Sequence, residues 1–270
     1  MRLNIDLTQG KKVINVYFIS DFHLFHNNVL KFDNRPFNDV HDMHLVIEQR
    51  WNETVGPDDI VIYGGDLSFA RREDKQYVED MLKRLNGHIH FIMGNHDKLE
   101  DIKKLPKLES IQDYLEVRIT HMQHEIGVGE KKVETLFCCM HYPIYSWNKK
   151  HHGSYMIHGH CHGNLHHGEE ASFYDGRRVI DVGCMLHDYT PISYTEVIEK
   201  LSHVEIEKLT REYLEKVKDI DYHYVVVVLI SDGEDMIETG FGCLACARRV
   251  AEEFADAHWD DQHIGNETKH

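Results

Sequence analysis

No hydrophobic run in the sequence is long enough to cross a bilayer as a helix. The longest aliphatic run, Val225 to Ile230, falls far short of the about 20 apolar residues that a span needs. The N-terminal residues lack the apolar stretch of a secretory signal. A surplus of positive charge is missing too. The formal net charge is -16, and an acidic surface repels phosphate backbones, which argues against a long nucleic-acid footprint. Residues 196–270 hold 18 acidic and 8 basic side chains, so most of the excess lies there. The six cysteines show no disulfide framework. Cys138 and Cys139 are neighbours on an apolar run and should point to opposite faces of a strand. Free thiols buried in a reducing compartment are the plain expectation. These absences predict a soluble, cytoplasmic protein with no membrane partner.

What is present is a core and an excess of histidine. The chain of 270 residues is 41% hydrophobic and 28% charged, which fits one large domain, or one domain and an appendage. Its 23 histidines invite a metal reading, although solvated surface positions would account for most of them.

Val13 to Ser20 reads as a strand buried on both faces, ending at Asp21-Phe22-His23. Residues i and i+2 just past a strand can point the same way, so Asp21 and His23 can share an ion. His26 and Arg35 follow in a polar loop. Asn38 or Asp39 can cap a helix whose buried stripe is Val40, Met43, Ile47, Trp51 and Thr54, with Gly56-Pro57 as the stop. Ile60 to Tyr63 is a second strand and leads into Gly64-Gly65-Asp66. A helix over about residues 73–86 precedes a third strand, His88 to Met93, and then Gly94-Asn95-His96-Asp97. This β-α-β-α-β order predicts parallel strands with right-handed crossovers, and ligands beyond their carboxyl ends. Ile111 to Met122 is expected to be one antiparallel or edge strand. Thr135 to Met140 is a strand ending at His141. Tyr155 to Ile157 is another, ending at His158-Gly159-His160-Cys161-His162. Arg178 to Val182 closes the sheet, and a helix begins near Tyr194.

Each polar cluster alone could be an ordinary turn. In order they form Asp21-x-His23, Gly65-Asp66, Gly94-Asn95-His96-Asp97, His141 and Gly159-His160-x-His162, each after an apolar strand. This pattern, over about residues 13–195, resembles the calcineurin-like metallophosphoesterase superfamily. Small bacterial and phage-type members look similar from Asp21-Phe22-His23 through Arg35-Pro36-Phe37 and near Pro191. The resemblance implies an α/β fold, a four-layer α-β-β-α sandwich of two mixed sheets, over residues 1–195. It implies two metal ions: one held by Asp21, His23 and His162, the other by Asn95, His141 and His160, with Asp66 bridging. His96 would be the catalytic acid and Asp97 would orient it.

The residue types suit that chemistry. Two cations neutralise a phosphoester and clamp an in-line displacement by a hydroxide held between them, while a histidine protonates the leaving group. Imidazole and carboxylate ligands favour Mn, with Fe, Zn, Ni or Co as alternatives, over Ca or Mg. Purple acid phosphatases take a tyrosine ligand from the stretch after the bridging Asp, where this chain has Phe69. Serine/threonine protein phosphatases carry an Asp-Arg pair where this chain has Ala70-Arg71-Arg72. A phosphodiesterase acting on a nucleotide or a small phosphorylated molecule is the expectation. A phosphomonoesterase or a non-catalytic metal-binding scaffold is the alternative. His26 and Arg35 are candidate phosphate contacts.

Residues 196–270 read as an acidic α+β appendage, suited to docking or oligomerisation. A long amphipathic helix is expected over Val197 to Val217, a hairpin from Tyr222–Ser231 and Met236–Phe241, and an Ala-rich helix over Cys243 to His258. Cys243, Cys246, His258 and His263 approach a zinc-finger spacing. However, both cysteines fall on the apolar stripe of that helix, so core packing explains them.

Overall fold

The computed structural model describes residues 1–8, 14–125, 129–166, 178–201, 227–231 and 236–240. The chain divides into two compact units, Met1–Ser202 and His203–His270.

The first unit is α/β and carries two five-stranded mixed sheets. In chain order its strands are β1 (Arg2–Asp6), β2 (Val16–Ile19), β3 (Ile60–Tyr63), β4 (His88–Ile92), β5 (Leu108–Gln112), β6 (Tyr114–Glu125), β7 (Gly129–Met140), β8 (Tyr155–His158), β9 (Val179–Asp181) and β10 (Ile192–Ser193). One sheet has the order β10-β2-β3-β4-β5, the other β1-β6-β7-β8-β9. The β2-β3-β4-β5 run is parallel, as the alternation of strands and helices requires, and β10 closes it antiparallel. In the other sheet only the β6–β7 pair is antiparallel.

The helices are few: α1 (Val29–Phe32), α2 (Val40–Thr54), α3 (Lys75–Arg84), α4 (Leu99–Ile102) and a last one, α5, over residues 194–201. The α2 helix starts where its cap dictates. The Asp39 carboxylate accepts the backbone N–H of His41 (2.8 Å) and of Asp42 (3.0 Å). Its stripe of Val40, Met43, Ile47 and Trp51 joins Val78, Met81 and Leu82 of α3 on one face of the β2-containing sheet. Phe22 meets Trp51 and Tyr63 edge-on there, at 6.0 and 5.0 Å between ring centres. The other face of that sheet presents Val16, Phe18, Ile62 and Ile92 to Leu115, Val117, Phe137 and Ile157 of the second sheet. The two sheets therefore pack face to face over a shared core.

Three differences from expectation have simple causes. The single strand expected over Ile111 to Met122 is two strands, β5 and β6. The chain changes sheets at Asp113, and the phase of its alternation resets there, with Leu108 and Ile111 on the helix-covered side and Leu115 and Val117 between the sheets. β1 and β10 were not anticipated, because short edge strands carry few apolar residues. The first unit also runs past residue 195, since Val197 and Leu201 of α5 pack into the inter-sheet core. Cys138 and Cys139 do lie on opposite faces of β7: Cys139 sits in the inter-sheet core, Cys138 against Trp147 and Met156. The four described cysteines are free.

In the second unit β11 (Val227–Ser231) and β12 (Met236–Gly240) pair antiparallel as the expected hairpin. The expected Ala-rich helix, the Cys243/Cys246/His258/His263 group and most of the expected amphipathic helix lie outside the described residues. Among the described residues no helix is long and apolar enough to cross a membrane.

Trp51 is fully buried and its indole N–H donates to the Asn86 carbonyl at 2.9 Å. Trp51→Ala is expected to lower the unfolding free energy by about 3–5 kcal/mol, read from urea denaturation. A loss below about 1 kcal/mol would mean that α2 is not part of the core.

Candidate metal centre

Every polar cluster singled out in the sequence follows a strand, and the two sheets meet at that end. Ser20, just past β2, donates its N–H to the Val182 carbonyl (2.9 Å) and accepts the Cys184 N–H (2.9 Å) beyond β9. The Asp21 N–H donates to the Gly65 carbonyl (3.0 Å) and the Gly159 N–H to the His141 carbonyl (3.0 Å), which ties the loop after β2 to that after β3 and the loop after β8 to that after β7.

Seven side chains converge there. His23 Nε2 lies 3.0 Å from His162 Nε2, 3.8 Å from Asp21 Oδ1 and 3.7 Å from Asp66 Oδ2. His162 Nε2 is 3.5 Å from Asp21 Oδ1. On the other side His141 Nε2 lies 3.4 Å from Asp66 Oδ2 and 2.9 Å from Asn95 Oδ1, and His160 Nδ1 is 2.9 Å from the same amide oxygen. Donors bound to one ion about 2.0–2.1 Å away stand about 3.0–3.4 Å apart; the separations of 2.9–3.5 Å lie near that range, and the His23–carboxylate separations of 3.8 and 3.7 Å exceed it. Asp21, His23 and His162 form one group that could hold an ion, and Asp21, Asp66 and His141 form a second. Asp66 Oδ2 faces both His23 and His141.

The surrounding hydrogen bonds fix which atoms point inward. His162 Nδ1 donates to Asp33 Oδ1 (2.8 Å) and His141 Nδ1 donates to the Gly64 carbonyl (2.8 Å). Each bond leaves the Nε2 lone pair of the neutral ring facing the centre. The Asp66 carboxylate is held by the His96 N–H, which reaches Oδ1 at 2.9 Å. Asp21 is held in the same way by the His160 N–H, 3.2 and 3.1 Å from its two oxygens.

The electrostatics call for a cation. Asp21 and Asp66 are almost fully buried. Burial pushes both carboxyls up, but His162 beside Asp21 and His141 beside Asp66 outweigh it and hold them below the ordinary value. Burial likewise pulls His162 down, yet its bonds to Asp21 and Asp33 raise it to about 10. The carboxylates thus draw positive charge into the centre. His23 has no such surplus, and burial lowers it to about 4, which keeps its ring free to coordinate.

Backbone conformation marks the same residues. Asp21, His23, Asp66, His160 and His162 all have left-handed φ, between 48° and 68°. That conformation costs about 1–2 kcal/mol for a residue with a side chain, although Asp and His tolerate it better than most. Gly94 and Gly159 permit the close approach. A Cβ on Gly94 would collide with the Asp66 carboxylate, and one on Gly159 with that of Asp21.

Two expected roles change. Asp97 does not reach the His96 imidazole. Its Oδ2 accepts the N–H of Asp66 (2.8 Å) and Gly94 (2.8 Å), and its Oδ1 that of Leu67 (3.0 Å), so it ties the β3 loop to the β4 loop. Arg35 is not presented to a phosphate. It is buried, and its guanidinium donates to the carbonyls of Phe22 (2.8 Å) and Asp21 (2.9 Å) and to Asp33 (2.9 Å). Asp33, which the sequence reading missed, therefore links Arg35 to His162. Its only trace in the sequence is that it precedes Arg35 by two residues. His26 is half-buried and stacked on Phe69 at 4.3 Å, and burial lowers its pKa, so its ring is neutral. His96 is exposed, with its ring 4.7 Å from Phe69 and 5.7 Å from His23.

Replacing Asp97 by Ala removes the acceptor of three backbone amides. The expected cost is about 3 kcal/mol of stability, with hydrogen-exchange protection lost at the Asp66, Leu67 and Gly94 amides. Retained protection at those three amides would overturn the tethering role.

No protein-family model matches the chain. The gene 66 protein of Mycobacterium phage D29 is 28% identical over 213 residues, 71% of this chain and 98% of that protein. Among solved structures, the protein of unknown function AQ665 from Aquifex aeolicus is similar, with a TM-score of 0.50 and 25% identity, over 70% of this chain and 99% of that one. The uncharacterized protein MJ1445 of Methanocaldococcus jannaschii is 30% identical over 185 residues, 68% of this chain and 89% of that protein. The similarity to MJ1445 is high and long enough that this chain belongs to the same family.

Proposed function

We propose that the protein is a binuclear metal-dependent phosphoesterase of the calcineurin-like kind, acting on a nucleotide or other small phosphodiester. The observation that carries the reading is the convergence of seven donor side chains in which Asp66 Oδ2 faces both His23 (3.7 Å) and His141 (3.4 Å). The proposal includes the four-layer arrangement. Helices α2 and α3 on the β2-containing sheet, and that sheet against the β7-containing one, supply three layers in the required order.

Asp21, His23 and His162 would hold one divalent transition-metal ion, and Asn95, His141 and His160 the other, with Asp66 shared. Mixed imidazole, carboxylate and amide donors suit Mn, Fe, Co, Ni or Zn better than Ca or Mg, and Mn is the ion proposed. Bound there, the ions would neutralise the phosphoester charge and favour attack by water.

The chain's own residues do the rest. Asp33 and the Gly64 carbonyl lock the tautomers of His162 and His141. Arg35 holds the Asp21–His23 loop through its carbonyls. His96 is anchored by its main chain to the Asp66 carboxylate, while its ring stays exposed beside the centre. It is the group placed to give a proton to the leaving oxygen. As the bond from phosphorus to that oxygen breaks, the electron pair goes with the oxygen and the His96 proton neutralises it. The oxygen of a water molecule bonds to phosphorus, and a proton of that water restores His96. The Phe69 ring packs on His23, His26 and His96.

Kinetics with Mn²⁺-loaded protein on matched alkyl and nitrophenyl phosphodiesters test the reading. His96→Ala should keep both ions and lose about 10²–10⁴-fold in turnover on the alkyl ester, less on the nitrophenyl ester, whose leaving group departs unprotonated. Equal losses on the two esters would remove the acid role. Failure of the wild type to turn over any diester with any of these ions would leave a metal-binding scaffold.

Asp66→Asn should weaken both ions together. Elemental analysis showing two ions fully retained would contradict the shared carboxylate.

A further inference from the structure

A cavity of about 670 Å³ opens beside the metal centre, between the β3 and β4 loops and helices α3 and α4. Asn95 and His96 form its wall on the side of the centre. Its floor is apolar, with Phe69, Val78 and Leu105. Its rim is cationic: Arg72, Lys98 and Lys104 are exposed and make no side-chain ion pair among the described residues. Lys75, also on the rim, is matched by Asp101 at 2.5 Å. Asp101 also faces Lys98 and Lys104, and with Glu79 and Asp97 the lining holds three acids against four cations. A concentration of positive charge is unexpected on a chain of net charge -16, and it sits where His96 faces away from the metal ligands.

We propose that this cavity receives the leaving portion of the substrate, and that this portion carries a second phosphate of its own. The inference rests on reading the neighbouring centre as a phosphoesterase site. If His96 protonates the leaving oxygen, whatever departs must lie on the His96 side of the scissile bond, and the cavity is there. An apolar floor takes a flat ring, and a rim of lysine and arginine takes an anion. A volume of about 670 Å³ accommodates a group the size of a nucleotide. A leaving alcohol without charge would bury the floor but leave the rim unanswered. The substrate class is therefore a phosphodiester whose leaving half is itself a phosphorylated nucleoside.

The test compares two ligands and two substrates. Calorimetry on the Mn²⁺-loaded protein should show adenosine 3′,5′-bisphosphate binding about tenfold more tightly than adenosine 5′-monophosphate, the worth of three partly exposed charge contacts. The triple variant Arg72→Ala, Lys98→Ala, Lys104→Ala should lose that preference. Lys83→Ala, which removes a charge from α3 outside the cavity, should keep it. In the kinetic arm, a dinucleotide with a terminal phosphate should exceed its dephosphorylated counterpart in kcat/KM by a similar factor, and the triple variant should abolish the difference. Equal affinity of the wild type for the two nucleotides, or a preference that survives in the triple variant, would overturn the proposal. A binding preference that disappears in the triple variant, without turnover of any substrate, would support the cavity as a phosphate site. It would refute the phosphoesterase reading instead.

Discussion

Two buried carboxylates govern the architecture of the centre. Asp21 and Asp66 follow the first two parallel strands, and each accepts a backbone N–H from a much later loop, His160 for Asp21 and His96 for Asp66. These bonds cross between loops that share no local sequence, so they set how the strand ends assemble. They also leave the remaining oxygens turned toward imidazoles. A carboxylate this deep is costly without a positive partner. The nearest arginine, Arg35, points its guanidinium at the carbonyls of Asp21 and Phe22 and at Asp33 instead. The compensating charge must come from protonated imidazole or from a cation held by imidazole. Burial favours the neutral rings of His23 and His160, so these supply little of it as protons, whereas at His141 the carboxylates of Asp66 and Asp21 outweigh burial and raise the pKa.

The strained backbone follows from the same demand. Extended strands put residues i and i+2 on the same face but about 6.6 Å apart along the chain, so Asp21 and His23, or His160 and His162, must be drawn together. Left-handed turns just past the strand ends solve this, at a local cost that a tightly packed interior offsets. The bridging of Ser20 to Gly183 and of Leu24 to Ser68 continues the pairing beyond the regular strands and holds those turns in place. Strain of this kind persists only where surrounding contacts over-determine it. Here it is concentrated on five of the seven converging residues.

Much of this was legible in the sequence, and the failures are instructive. The α2 stripe and its Asp39 cap, the short strand Ile60–Tyr63 and the hairpin near the C-terminus all depend on local periodicity and turn chemistry. The converging donors were legible because each stands immediately after an apolar run. Asp33 was not, because its partner His162 is 129 residues away and nothing local distinguishes it from a loop carboxylate. Arg35 looked like a phosphate ligand because a lone arginine in a polar loop has no visible partner in sequence. Its partners are backbone carbonyls. Asp97 was misread for the opposite reason. Its adjacency to His96 suggested a pair, yet neighbours in a tight turn point apart, and the carboxylate turned inward to amide donors. The β5–β6 junction failed because a chain can change sheets within one residue without any break in its apolar content.

Burial separates two kinds of residue in the centre. Asp21, His23, Asp66 and His141 are sealed by the sheets, whereas Asn95, His96 and His160 face solvent. A site that only stored or bridged ions would gain from closing over them, since exclusion of water strengthens each donor. Here one flank is open, and the exposed flank carries the imidazole whose main chain is fastened to the shared carboxylate. That fastening keeps His96 in register with Asp66 whatever its ring does, so the ring can move a proton without disturbing the donors. An open, registered imidazole beside a sealed donor set serves turnover better than storage. The cationic cavity continues from that same open flank. A small anionic substrate could therefore reach the centre without any opening of the sealed side.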